Sequence, residues 1–334
     1  MGASHAHEDR RPASHGGLCR ASDILSREHP EFVVSKYKLR QAEGISLVRS
    51  RRESGNQLLA FAARPFVLYG LPVRRPPATQ VIHERRNGQF TLQITGHPDF
   101  GLPFGQDRIV PIFLATLAVQ QNSPIVRFKS ASAMLETFGM QKGGKEYRRL
   151  VGAFERIFGA TIFFGTEKLN GHAEVVHRCR SNFIREAQIW FNHGDGLLSA
   201  SAGFENEIVL SDEFYQEVIA HPIPTDLEAV RVLSSAPAIL DLFMWLTYRC
   251  FFAKGRESIP LFGAFGLVRE LGSIEYSRPR RFRAMLDQWL KTIRALWPDC
   301  PARISGDGQS LVIERATSIL PRAERPPESG RFAQ

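Results

Sequence analysis

Cysteine is scarce in this chain and badly placed for structural chemistry. Four residues (Cys19, Cys179, Cys250, Cys300) are scattered over 334 positions with no CxxC pair, which argues against a zinc site and against a disulfide framework. A long apolar run is also missing. The best stretch, Ala236 to Ala253, is broken by Pro237, Asp241 and Arg249 and is too short and polar to span a bilayer. The N-terminal MGASHAHEDRR has no apolar segment of the kind a secretory signal needs, and Ala6 stands where myristoylation requires Ser or Thr. Free thiols and no leader lead us to expect a cytoplasmic protein.

Catalytic patterns are equally thin. Gly139 to Lys145 (GMQKGGK) meets half of a phosphate-binding loop, but Glu146 replaces the Ser or Thr that would hold magnesium, and the preceding element reads as a helix. His172, His177 and Cys179 match no zinc spacing. Glu205 and Glu207 have no Ser, His or Lys motif to partner them. Trp190, Trp245 and Trp289 lie in periodic apolar segments and read as core. No enzyme is expected, and no cofactor or metal.

What is abundant is positive charge. With 43 Lys and Arg against 34 Asp and Glu, the net charge is +9. Such a balance implies an acidic partner, and without a membrane segment that partner is nucleic acid. The fold class expected is α+β, helix-rich: two tandem winged-helix domains behind a disordered basic N-terminal tail. Residues 1–75 read as that tail, 76–220 as the first domain, 221–318 as the second and 319–334 as a disordered C-terminal tail. Asn87-Gly88 suggests a hairpin turn between Val81–His83 and Gln89–Thr95.

From Phe100 the order of elements is helix (capped by Asp107), strand (Ile125–Lys129), helix (capped by Ser130, stopped at Gly139) and helix (Lys145–Gly159). A sheet wing follows, from Thr161–Phe164 and Val175–Phe191. The order recurs: a long helix from Asp226 interrupted at Pro237, a strand at Ser258–Phe262, and a short helix at Phe265–Leu271. A helix capped by Ser277 and a hairpin around Gly306-Asp307-Gly308 complete it. Tyr147, Leu150, Phe154 and Phe158 align with Phe282, Met285, Trp289 and Ile293, giving each third helix a buried stripe. The opposite face is then basic. DNA contacts are expected from Lys142, Lys145, Arg148, Arg149 and Arg156 in the first copy. Ser277, Arg278, Arg280, Arg281, Arg283, Lys291 and Arg294 are the corresponding set in the second. Gly152, in the first basic face, fits either close approach to a groove or packing against another helix.

At HPDFGLPFGQDRIVPIFLATLAVQQ (His97–Gln121) the sequence resembles the plasmid-encoded RepA replication initiator family. The resemblance continues through MLETFGM (Met134–Met140), KEYRRLVGAFERIFGATIFFGT (Lys145–Thr166) and IVLSDEFYQEVIAHPIPTDLEAVRVL (Ile208–Leu233). It extends on through IPLFGAFGLVRELG (Ile259–Gly272) and EYSRPRRFRAMLDQWLKTIRALWPDCPA (Glu275–Ala302). It implies a protein that binds repeated sites at a plasmid origin, promotes opening of the duplex and represses its own promoter. The partners it implies are double-stranded origin DNA, the host initiator and the replicative helicase, with a homodimer as a further state and no membrane. A winged-helix transcriptional regulator is the first alternative. A nickase or primase is the second, and its Tyr–His or paired-acid chemistry is not evident.

Overall fold

The computed structural model describes residues 36–87, 90–170, 173–189, 205–272 and 278–316. It is a mixed helix-and-sheet protein whose core is rich in aromatics. Phe66 stacks on Phe183 at 4.8 Å, Phe113 meets Phe128 edge-on at 5.2 Å, and Trp245, Phe243 and Phe282 are fully buried.

Helix α1 (Lys36–Glu53) opens the described chain, followed by β1 (Leu59–Ala62) and α2 (Arg64–Leu68). This region corrects the expected tail, because residues 36–75 are structured. Val48, Ala60, Val67, Tyr69 and Leu71 are buried, and β1 pairs antiparallel with β9 (Ile223–Asp226) from Leu59↔Asp226 to Ala62↔Ile223. The segment looked like a tail because the arginines of α1 dilute its apolar periodicity, while β1 is only four residues long. Contacts divide the chain into residues 1–42 and residues 43–334. Of the first unit only 36–42, the start of α1, are described. Within the second, the expected boundary near residue 221 is crossed by the β1–β9 pair and by one continuous hydrophobic cluster.

The hairpin of β2 (Ile82–Asn87) and β3 (Phe90–Thr95) forms, but Asn87, expected in the turn, is the last residue of β2 and pairs with Phe90; residues 88–89 lie outside the described residues. A 3-10 turn, Gly105–Arg108, leads into α3 (Ile109–Gln121). Then come β4 (Ile125–Phe128), α4 (Ala131–Thr137) and α5 (Gly144–Phe158). Ser130 caps α4 by accepting from the Ala133 N–H, and Gly139 after it adopts φ +61, both as expected. Asp107 does not cap α3. Its carboxylate accepts the Phe104 N–H at 2.9 Å and turns toward α5.

The strands β5 (Thr161–Asn170) and β6 (Ala173–Asn182) do not form the first wing. They extend the β2–β3 hairpin into a four-stranded sheet of order β2-β3-β5-β6. The strands that return to β4 are β7 (Ile184–Gln188) and β8 (Asn206–Leu210), in the order β4-β8-β7. Helix α6 (Asp212–Ala220) and β9 lead to α7 (Leu227–Leu233), whose cap Asp226 accepts from the Glu228 and Ala229 N–H groups. The interruption expected at Pro237 is present, and Pro237 begins α8 (Pro237–Phe252). The chain ends with β10 (Glu257–Pro260), α9 (Leu267–Glu270), α10 (Pro279–Leu296) and the hairpin β11 (Arg303–Ile304) and β12 (Ser310–Ile313). These three strands are ordered β10-β12-β11.

Candidate nucleic-acid interface

One topology therefore occurs twice. A long helix, a strand, a short helix and a second long helix are followed by a hairpin whose later strand pairs with the first strand. In the first half these elements are α3, β4, α4, α5 and β7–β8; in the second they are α8, β10, α9, α10 and β11–β12. In both, the second long helix buries one face and exposes the other.

In α5 the buried side chains are Leu150, Ala153, Phe154 and Ile157, with Tyr147 partly covered. Phe158, placed by the sequence on this stripe, is 43% exposed; the stripe follows 150-153-154-157, and Ile157 takes the core position. Lys145, Arg148 and Arg149 lie exposed near the helix start, where Gly143 is the N-cap residue and supplies no capping side chain. Unsatisfied N–H groups at such a start favour phosphate. Arg149 reaches Glu146 at 3.6 Å, a surface pair of small energetic weight, and Lys142 in the preceding turn pairs with Glu136.

Arg156 behaves differently. Its Nε and Nη2 donate to Asp107 at 2.6 and 3.0 Å, and its guanidinium lies over the Phe104 ring at 4.8 Å. That ties it to the fold and withdraws it from the basic face. The same contact explains Gly152. A Cβ there would stand 3.1 Å from Arg156 Nη1, so the glycine leaves room for the guanidinium to lie along the helix.

In α10 the buried stripe is Phe282, Leu286, Trp289, Leu290 and Ile293, with Met285 partly buried against it. Ser277, the expected cap, lies outside the described residues, and Arg278 is the N-cap residue, with Pro279 next. Arg278, Arg280 and Arg281 are exposed at the helix start, and Ala284, Gln288 and Lys291 continue the exposed stripe. Lys291 pairs with Asp287 at 2.8 Å on the surface. Arg283 leans on the hairpin, with Nη1 3.5 Å from the Gly308 carbonyl. Arg294 donates to the Ala302 carbonyl at 2.8 Å, bracing the helix against the same hairpin. The C-terminal carbonyls of α10 are met from α1: Arg49 donates to Ala295 O at 2.8 Å and Arg52 to Leu296 O at 2.6 Å. Cations at a helix C-terminus satisfy orphan acceptors and oppose the dipole there. The exposed stripe of Arg, Ala, Gln and Lys has the chemistry to read base edges. Guanidinium pairs with guanine, the Gln amide with adenine, and a methyl with thymine.

Below these faces lies a buried charge cluster. Arg108 Nη2 donates to Asp241 Oδ2 at 2.9 Å and to the Leu71 carbonyl at 2.9 Å, while its Nε lies 2.7 Å from Asp241 Oδ1. Burial raises the Asp241 carboxyl above its usual range, opposed by Arg108 and Arg85. Burial also lowers Arg85 to about 10 and, with Arg85 beside it, His83 to about 4; both side chains contact the Gly70 carbonyl. Glu270 accepts from the Trp245 Nε1–H at 2.8 Å, and burial pushes its carboxyl up to about 7. The one sequence signal for this cluster is a lone charge inside an apolar run, as in PAILDLFMWL around Asp241.

Among the described residues no group of three or more His, Cys, Asp or Glu could hold a metal ion, and no helix is long and apolar enough to cross a membrane. The turn GMQKGGK follows helix α4 rather than a strand, as expected. His172 lies outside the described residues.

Residues 105–260 match the model of the family described as plasmid encoded RepA protein. Over that span, just under half of its length, the chain is similar to that family. The match covers all elements of the first copy of the repeated topology, from α3 to β8, and it stops at the end of β10, so α10 lies beyond it. Two solved structures of domains 2 and 3 of RctB are similar. The first, a selenomethionine derivative, shares 13% identity over 69% of this chain and 84% of that one, with a TM-score of 0.47. The other shares 14% over 73% and 92%, with a TM-score of 0.46. No curated protein matches this chain.

Proposed function

We propose that this chain belongs to the RepA family and is a non-enzymatic origin-binding initiator that reads DNA through two winged-helix modules, within residues 76–220 and 221–318. The reading helices are α5 and α10. The observation that carries this is the doubled topology, in which the same helix of each copy exposes a basic start: Lys145, Arg148 and Arg149 in one, Arg278, Arg280 and Arg281 in the other. Two different helices on one chain suit a directly repeated, non-palindromic site of about two helical turns. Origin opening, recruitment of host initiator and helicase, and autorepression follow the role of the family in the cytoplasm.

The test is a titration of the full chain against the DNA flanking its gene and against scrambled DNA of equal length. The account expects preference for the flanking repeats by about 10³-fold or more, with affinity falling steeply as salt rises. Equal affinity for both DNAs would reduce the protein to a non-specific binder. Specific binding confined to the promoter would make it a regulator.

A further inference from the structure

Four charged side chains run without interruption from the first reading helix into the core of the second half. Arg156 on α5 is held by Asp107, the next residue is Arg108, and Arg108 is held by Asp241 on α8. Asp107 and Arg108 share one 3-10 turn, where successive side chains diverge by about 120°. One therefore addresses α5 while the other addresses α8.

The setting leaves this chain little freedom. Asp107, Arg108 and Asp241 are all under 5% exposed. The remaining Arg108 donors go to the carbonyls of Gly105 and Leu71. Gly70 closes the other side, since a Cβ there would lie 2.4 Å from Asp241 Oδ2. Buried ion pairs add little stability over apolar packing of similar volume, and fixing a register is the best-attested use of such groups.

We propose that Asp107 and Asp241 are positioning residues. With Arg156 and Arg108 they clamp the first reading helix to the second module, and so fix the phase at which the two helices meet DNA. This rests on the two-module reading of the preceding section. The clamp touches no base or phosphate; it decides which site spacing is accepted.

The experiment measures binding of the full chain to its site and to the same site carrying two or five extra base pairs at its centre. Wild type should lose about 100-fold or more at five base pairs, because the second module can no longer reach its groove. In Asp241→Asn and Arg156→Gln the penalty should shrink to under about 10-fold, as the modules gain freedom to adjust. Arg156 is 17% exposed, so its variant carries the test should Asp241→Asn fail to fold. Leu286→Ala, which weakens the core of α10 away from the clamp, should keep the wild-type penalty. A wild type indifferent to spacing overturns the two-module reading and this inference with it. A phase-dependent wild type whose clamp variants keep the full penalty overturns this inference alone.

Discussion

The two long basic helices, α5 and α10, expose alike and anchor differently. Both present exposed basic residues in the first turns and commit an arginine near the end to the fold, Arg156 in α5 and Arg294 in α10. Arg156 reaches a buried carboxylate that leads across the molecule, whereas Arg294 reaches a carbonyl of its own hairpin. Helix α10 draws further support from Arg49 and Arg52 of α1. Positive charge on a helix thus has two destinations. Where a buried acceptor lies within reach, the arginine is structural; where none does, it is free for phosphate or base.

The comparison is broken most completely by removing residues 1–63. That deletes β1 from its pair with β9, takes buried Val48 and Ala60 from the core, and frees the carbonyls of α10. Loss of the cooperative melting transition, followed by circular dichroism, is the expected outcome. An unchanged transition would show that the N-terminal segment only rests on the fold.

Next in size is the contrast between the two committed arginines. Arg156→Ala leaves Asp107 buried and unpaired and should cost about 3 kcal/mol. Arg294→Ala removes one hydrogen bond to a carbonyl and should cost about 1 kcal/mol. Urea denaturation of both variants measures the difference, and equal costs would refute the distinction.

Glu270 in α9 and His83 in β2 add pH effects of opposite sign. Glu270 has its carboxyl raised from 4.5 to about 7, so its contribution is fully present below pH 4.5 and lost as pH rises through 7. His83 is lowered from 6.5 to about 4, so its contribution is present above pH 6.5 and lost as pH falls through 4. The two slopes oppose each other between pH 4.5 and 6.5. Glu270→Gln keeps an acceptor for Trp245 and removes one slope. Its stability should climb with pH over this range and exceed wild type by up to about 3 kcal/mol at pH 8. Denaturation midpoints across pH 4–8 check this, and parallel curves for the two proteins would contradict it.

The smallest effects belong to the exposed arginines. Arg149→Ala and Arg280→Ala should each weaken specific DNA binding by about 1–3 kcal/mol while changing stability by under about 0.5 kcal/mol. Anisotropy titrations against specific and random DNA separate base contacts from phosphate contacts.

Much of this was legible in the sequence, for stated reasons. Ser130, Gly139 and Pro237 punctuate their helices where local chemistry requires, and the order of elements is found in both halves. The misses share a cause. Whether β5–β6 or β7–β8 returns to β4 is a choice of partner, which strand propensity does not encode. Arg156 looks like any basic face residue until Asp107, 49 positions away, is brought beside it. Residues 36–75 lack strong periodicity because each element there buries only a few side chains and borrows its partner from the second half of the chain.

The central claim is that two unlike helices read one site together. Hydroxyl-radical footprinting of the full chain on its origin repeat tests it most directly, with a double variant in each helix. Arg148→Ala with Arg149→Ala should lose protection over one half of the site. Arg280→Ala with Arg281→Ala should lose it over the other, centred about 10 base pairs away. Loss over the same half in both variants, or an unchanged footprint in either, would contradict the account.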